Sequence, residues 1–163
     1  MKTTLKRRRH ENKTDYAKRI RLLKSGTPRV VFRKTNRYII AQYVTSKEAQ
    51  DKIEMDITSK DLLKYGWPKE AEGSLKSITA SYLTGLLIGK KILNKKLKTP
   101  IIDIGMIQSL HKTKVFAFLK GIKDSGLDIK TDEKTFPEEE RIKGESLKGK
   151  ISFDEIKSKV EKE

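Results

Sequence analysis

Residues 29–44, RVVFRKTNRYIIAQYV, decide the fold. Val30 and Phe32 alternate with Arg29, Val31 and Arg33, so one face is apolar and the other carries two guanidinium groups. Lys34-Thr35-Asn36-Arg37 is short and polar, and Tyr38–Val44 is aromatic and β-branched. The pattern predicts two antiparallel strands joined by a four-residue loop. A polar loop over 45–52 precedes a third alternating stretch, Lys52–Thr58, in which Ile53, Met55 and Ile57 share a face. Ser74 to Lys95 predicts a long helix, with Ser81, Gly85 and Gly89 forming a smooth ridge. Glycine costs about 1 kcal/mol inside a helix, so the ridge predicts close packing, here on the sheet. Pro100–Gly105 (PIIDIG) predicts a short strand covered on both faces, and 113–125 a last core helix. Together these elements give an α/β fold: a three-strand antiparallel meander plus a further strand, with packed helices, in a ribonuclease-H-like order.

Upstream lies the strongest charge asymmetry. Eight of the nine arginines fall between Lys6 and Arg37; the ninth is Arg141. Arginine grips phosphate through a planar fork, whereas lysine is a hydrated point charge. Residues 1–11 predict a basic arm, disordered until an anion orders it. A short helix follows from Asn12 to Leu23, capped by Asn12 or Thr14, with Tyr16, Ile20 and Leu23 as an apolar docking stripe. Lys18 and Arg21 lie on its opposite face. The core domain is expected over 12–127 and a polar extension over 128–163. There Ser152 and Glu155 have capping-box spacing ahead of a marginal helix bearing Ile156 and Val160.

The chain has 163 residues, 38 Lys and Arg against 22 Asp and Glu, a net charge of +16 and a pI near 9.9. Up to Arg37 there are fourteen bases and two acids; beyond it the balance is twenty-four to twenty. A field concentrated in this way favours nucleic acid as partner. There is no cysteine, so no disulfide or thiolate metal site, and a reducing compartment is expected. No apolar run approaches the roughly 20 residues of a membrane span, and no signal peptide is evident. The expected location is the cytoplasm, with no membrane and no small-molecule substrate as partner.

Motifs of chemistry are few. His10 and His111 have no second ligand at metal spacing, and neither a phosphate loop nor a nucleophile elbow occurs. No metal, cofactor or catalytic residue is expected. The alternative is a metal-dependent, ribonuclease-H-like nuclease using Asp56 and Asp103 as ligands. Trp67, before Pro68, either stacks on a base or caps the core edge, the latter being favoured. Asn36 either satisfies turn geometry or touches RNA.

In order and spacing, the Arg-rich run from Arg7 to Gln42, the turn Thr58-Ser59-Lys60-Asp61-Leu62 and Gly66-Trp67 resemble a known family. Ala80-x-Tyr82-Leu83-Thr84-Gly85-Leu86-Leu87-x-Gly89-Lys90-Lys91, Asp103-Ile104-Gly105, Val115-Phe116-Ala117-x-Leu119-Lys120-Gly121 and Pro137–Glu145 continue the likeness. The family is that of the large-subunit ribosomal proteins that bind 5S ribosomal RNA, in its archaeal and eukaryotic branch. The segment Gln108–Lys114 is poorer in glycine and arginine than the family pattern, and the chain is shorter than eukaryotic relatives, which favours an archaeal source. The resemblance implies a non-enzymatic protein of ribonuclease-H-like topology that holds 5S rRNA against the large rRNA and neighbouring large-subunit proteins in the central protuberance. The candidate RNA-binding residues are Arg7, Arg8, Arg9, Lys13, Lys18, Arg19, Arg21, Lys24, Arg29, Arg33, Lys34, Asn36 and Arg37.

Overall fold

In the computed structural model, which describes residues 4–108, 110–144 and 152–163, the alternating stretch at 29–44 is the centre of the sheet. β1 (Arg29–Lys34), β2 (Ile39–Lys47) and β3 (Gln50–Thr58) form the expected meander, and β4 (Ile101–Asp103) lies parallel to β1. The strand order is β3-β2-β1-β4, with the long helix in the crossover between β3 and β4. Period-two alternation sends Val30, Phe32, Ile39 and Ala41 to one face, where all four are fully buried.

That face packs on two helices, α3 (Ile78–Asn94) and α4 (Lys114–Asp124). (The short helical segments α1, Arg7–His10, and α2, Tyr16–Lys24, precede the sheet and are described with the site.) Phe32 meets Phe118 with ring centroids 4.8 Å apart. The hydroxyl of Ser77 caps α3 by accepting from the Ala80 amide at 3.1 Å, so the helix starts later than Ser74. The glycine ridge packs on α4 rather than on the sheet. A Cβ at Gly85 would overlap the Phe118 carbonyl, one at Gly89 the Ser125 hydroxyl, and one at Gly121 the Tyr82 carbonyl. The two backbones therefore approach too closely for any side chain, and Ser81 donates across the gap to the Lys114 carbonyl at 2.6 Å.

Three further expectations are corrected. The span 45–52 is not a loop: β2 and β3 run on to Lys47 and Gln50 and turn through Glu48 and Ala49, both at positive φ (51° and 65°). β4 is an edge strand of three residues, with Ile101 36% exposed, so it is not covered on both faces. The C-terminal helix, α6 (Phe153–Glu161), is not marginal: Phe153, Ile156 and Val160 are buried, the helix lies on α3, and Ser152 makes no side-chain cap. Between α4 and α6, the short α5 (Glu139–Lys143) buries Ile142. Residues 145–151 of the predicted polar extension lie outside the described residues. Trp67 is 2% exposed, its indole donates to the Ala71 carbonyl at 3.1 Å, and it caps the core edge as favoured.

Candidate nucleic-acid interface

The second face of the sheet carries charge. From β1 it presents Arg29 and Arg33, and from β4 Asp103. Arg29 is 2% exposed: it donates to Asp51 at 2.7 Å, to Ser46 at 2.9 Å and to Asp103 at 3.5 Å. It is thus a buried anchor and has no edge to offer a phosphate, which removes it from the expected RNA-facing set. Asp51, in the β2–β3 hairpin, also accepts from Arg19 at 3.0 Å. Partial burial pushes the Asp51 carboxyl up, but hydrogen bonds from Ser46 and Arg19 and the charges of both arginines outweigh it and hold the group below its usual range. Neither acid was among the expected interface residues. The available signal was Asp103 itself, a lone acid in the apolar run PIIDIG.

Arg33 is the exposed continuation of this network. Its guanidinium donates to the Phe32 and Asp103 carbonyls at 2.7 and 3.0 Å and to the Asp103 carboxylate at 3.4 Å. A guanidinium has five donors, so two remain unspent on a side chain that is 40% exposed. Gly105, at φ +63°, makes the geometry possible: a Cβ there would sit 2.9 Å from the guanidinium. The Gly105 amide donates to Asp103 at 2.8 Å and its carbonyl accepts from Lys18 at 3.3 Å.

Lys18 belongs to α2 (Tyr16–Lys24), which is capped by Asp15 and not by Asn12 or Thr14. The Asp15 carboxylate accepts from the amides of Ala17 and Lys18 at 3.1 and 3.3 Å. The Lys18 amide bond first, and then the charge of Arg9, hold its pKa down despite some desolvation. The predicted apolar stripe does not dock: no residue of α2 is buried, and Ile20 is 52% exposed. What fixes this helix is polar, through Lys18 on Gly105 and Arg19 on Asp51. Ahead of it the expected arm carries a helical turn, α1 (Arg7–His10), placed by Arg8 donating to Thr14 at 3.0 Å, an Arg9–Asp15 pair at 3.5 Å and Lys6 over the Tyr16 ring at 4.6 Å.

These elements enclose a cleft of about 120 Å³. Arg8, Lys13, Lys18, Arg19 and Arg33 line it against two acids, Asp15 and Asp103. Of the remaining candidates, Arg7 is exposed beside Glu11 at 3.7 Å, and Arg21 and Lys24 face outward from α2. Lys34, Asn36 and Arg37 are exposed at the hairpin tip. Arg21, Lys24, Lys34 and Arg37 form no ion pair among the described residues. In the tip, Thr35 performs the turn chemistry. Its hydroxyl donates to the Tyr38 carbonyl at 2.7 Å and accepts from the amides of Arg37 and Tyr38, which leaves the Asn36 side chain free of that task.

The geometry does not fit the two-metal alternative. Asp103 is on β4 and Asp56 on β3, three strand spacings apart, or roughly 14 Å at about 4.8 Å per spacing. A two-metal site needs its ions about 4 Å apart, and Asp103 is already held by two arginines. Among the described residues no group of three or more His, Asp and Glu could hold a metal ion.

Residues 2–99 match the family described as ribosomal large subunit proteins 60S L5 and 50S L18. The large ribosomal subunit protein uL18 of Methanoculleus marisnigri is 49% identical over 138 residues, 85% of this chain and 77% of that protein. The uL18 proteins of Korarchaeum cryptofilum and Methanococcoides burtonii are 43% and 41% identical, over 86% and 94% of this chain and 70% and 91% of theirs.

Proposed function

From the premise that the chain belongs to the uL18 family of large-subunit ribosomal proteins, we propose that it binds 5S rRNA and helps to attach it to the large rRNA in the central protuberance. As a ribosomal protein of archaeal type it works in the cytoplasm, on the ribosome, among rRNA and ribosomal proteins. Its role is structural and not catalytic. The observation that supports this reading is the way the arginine-rich segment is held: Arg9 ties α1 to the cap of α2, Arg19 ties α2 to the sheet and Arg29 is buried within it, yet the segment directs Arg8, Lys13, Lys18 and Arg33 into one open cleft. Folded RNA is read by shape, phosphate and 2′-hydroxyl, and a fixed array of cations suits that task better than a free tail.

Binding of the full chain to 5S rRNA across a salt series tests this. With about five phosphate contacts, affinity should fall steeply and linearly on a log–log plot. Equal affinity for an unrelated RNA of the same size would refute specific recognition.

A further inference from the structure

Away from the arginine cleft, an apolar groove of about 450 Å³ opens between β1, the start of α3 and the loop leading into α4. Phe32, Ile78, Ile107, Leu110 and Val115 form its walls, and Leu110 is 61% exposed. Its rim is cationic, with Lys34, Lys112, Lys114 and Arg141. Lys112 is paired with Glu138 at 2.7 Å, but the other three have no ion-pair partner among the described residues. Lys114 stands in the first turn of α4, where a cation opposes the helix dipole and no acid offsets it. Burial, and then the charges of Lys34 and Lys76, depress its pKa. This positive charge therefore costs local stability. Lys34 ends β1 and leads directly into the exposed hairpin tip, so the groove is continuous with the proposed RNA-facing edge.

We propose that this groove receives a single unstacked base of ribosomal RNA, with the flanking phosphates on Lys34, Lys114 and Arg141. The inference rests on the RNA-binding reading above and adds a base-accepting site to it. An apolar slot takes the face of any base, and the exposed Gln108 side chain at its edge can bond a base edge. The unpaired cations favour this occupant over an apolar protein segment, which would leave them unmatched.

The test uses the full chain with Leu110 replaced by p-benzoylphenylalanine, assembled into large subunits and irradiated. A crosslink to one unpaired nucleotide, of 5S or of large rRNA, is the expected result, and its mapping identifies the source. A crosslink to a ribosomal protein, or no crosslink from an assembled subunit, overturns the proposal. In parallel, the Leu110→Asp chain is titrated with whichever rRNA is crosslinked. Its affinity should fall about tenfold, the lower part of the range for losing one stacked base; unchanged affinity also overturns it. Binding of the unaltered chain to 5S rRNA is measured beside these. If it is retained while the groove arms fail, the groove assignment alone is wrong.

Discussion

The two faces of the sheet are made by alternate residues of the same strand, and they do different work. On one face Val30 and Phe32 are sealed against α3 and α4 by contact alone. On the other, Arg29 and Arg33 are held by directional bonds to Asp51 and Asp103 and end in an open cleft. The difference is one of tolerance. An apolar interior tolerates a substitution that keeps its volume, whereas a hydrogen-bonded charge network loses a whole partner at once. Register links the two: a one-residue slip would exchange them, so burying Phe32 also aims Arg33.

Substitutions can break this division. Phe118→Ala, which empties the other side of the same apolar contact, should have the largest effect on stability, about 3–5 kcal/mol by chemical denaturation, and RNA affinity of the folded fraction should survive. Arg29→Ala should come next, at about 3 kcal/mol, because it takes the buried partner from Asp103 and Asp51 and leaves each with one partly exposed arginine, Arg33 or Arg19. If Arg29→Ala instead lowers RNA affinity with stability unchanged, the buried-anchor assignment fails. Arg33→Ala should do the reverse, with little loss of stability but about a tenfold loss in affinity for 5S rRNA, the scale of one charge-assisted bond. The smallest effect is expected at Arg7→Ala, less than about threefold in the same titration, since a solvent-exposed pair adds under about 1 kcal/mol. Equal losses at Arg7 and Arg33 would reduce the interface to an electrostatic tail.

Acid sharpens the comparison further. The folded pKa of Asp51 is depressed, so its contribution to stability is complete above its unfolded value of about 3.9 and disappears as pH falls through the folded one. Urea midpoints should therefore drop below about pH 4, and Asp51→Asn should flatten that part of the curve. A wild-type and Asp51→Asn pair with parallel curves would show that the carboxylate does not hold the network.

How much of this was legible in the sequence follows the same division. The apolar face declared itself: alternation located β1, β2 and the C-terminal part of β3, and helical periodicity located α3 and α4 to within a few residues. The charged face did not. Arg29 reads like its neighbours in sequence, and only the fold brings Asp51 and Asp103 to it. The stripe on α2 has helical spacing, but the surface beneath it is polar, so Ile20 stays in water. The turn at Glu48-Ala49 lacks the Asn-Gly signal that usually marks two positive φ values, which disguised the ends of β2 and β3 as a loop. The glycine ridge announced close packing but not the partner, because Gly121 supplies the matching gap from another helix. The burial of α6 was hidden for the same reason: three apolar residues look marginal until α3 is set beside them.

The pairing of β1 with β4 has a consequence for how the molecule comes into being. Arg29 and Ile101 are neighbours in the sheet but far apart in the chain, and such closure is slow because loop entropy is lost before the contact forms. A chain made from its N-terminus exposes Arg29 and Arg33 well before Asp103 exists to neutralise them. Residues 101–163 hold thirteen bases and thirteen acids, so the nascent chain already carries the whole net charge of +16, and completing the sheet is the step that gives Arg29 and Arg33 the Asp103 carboxylate.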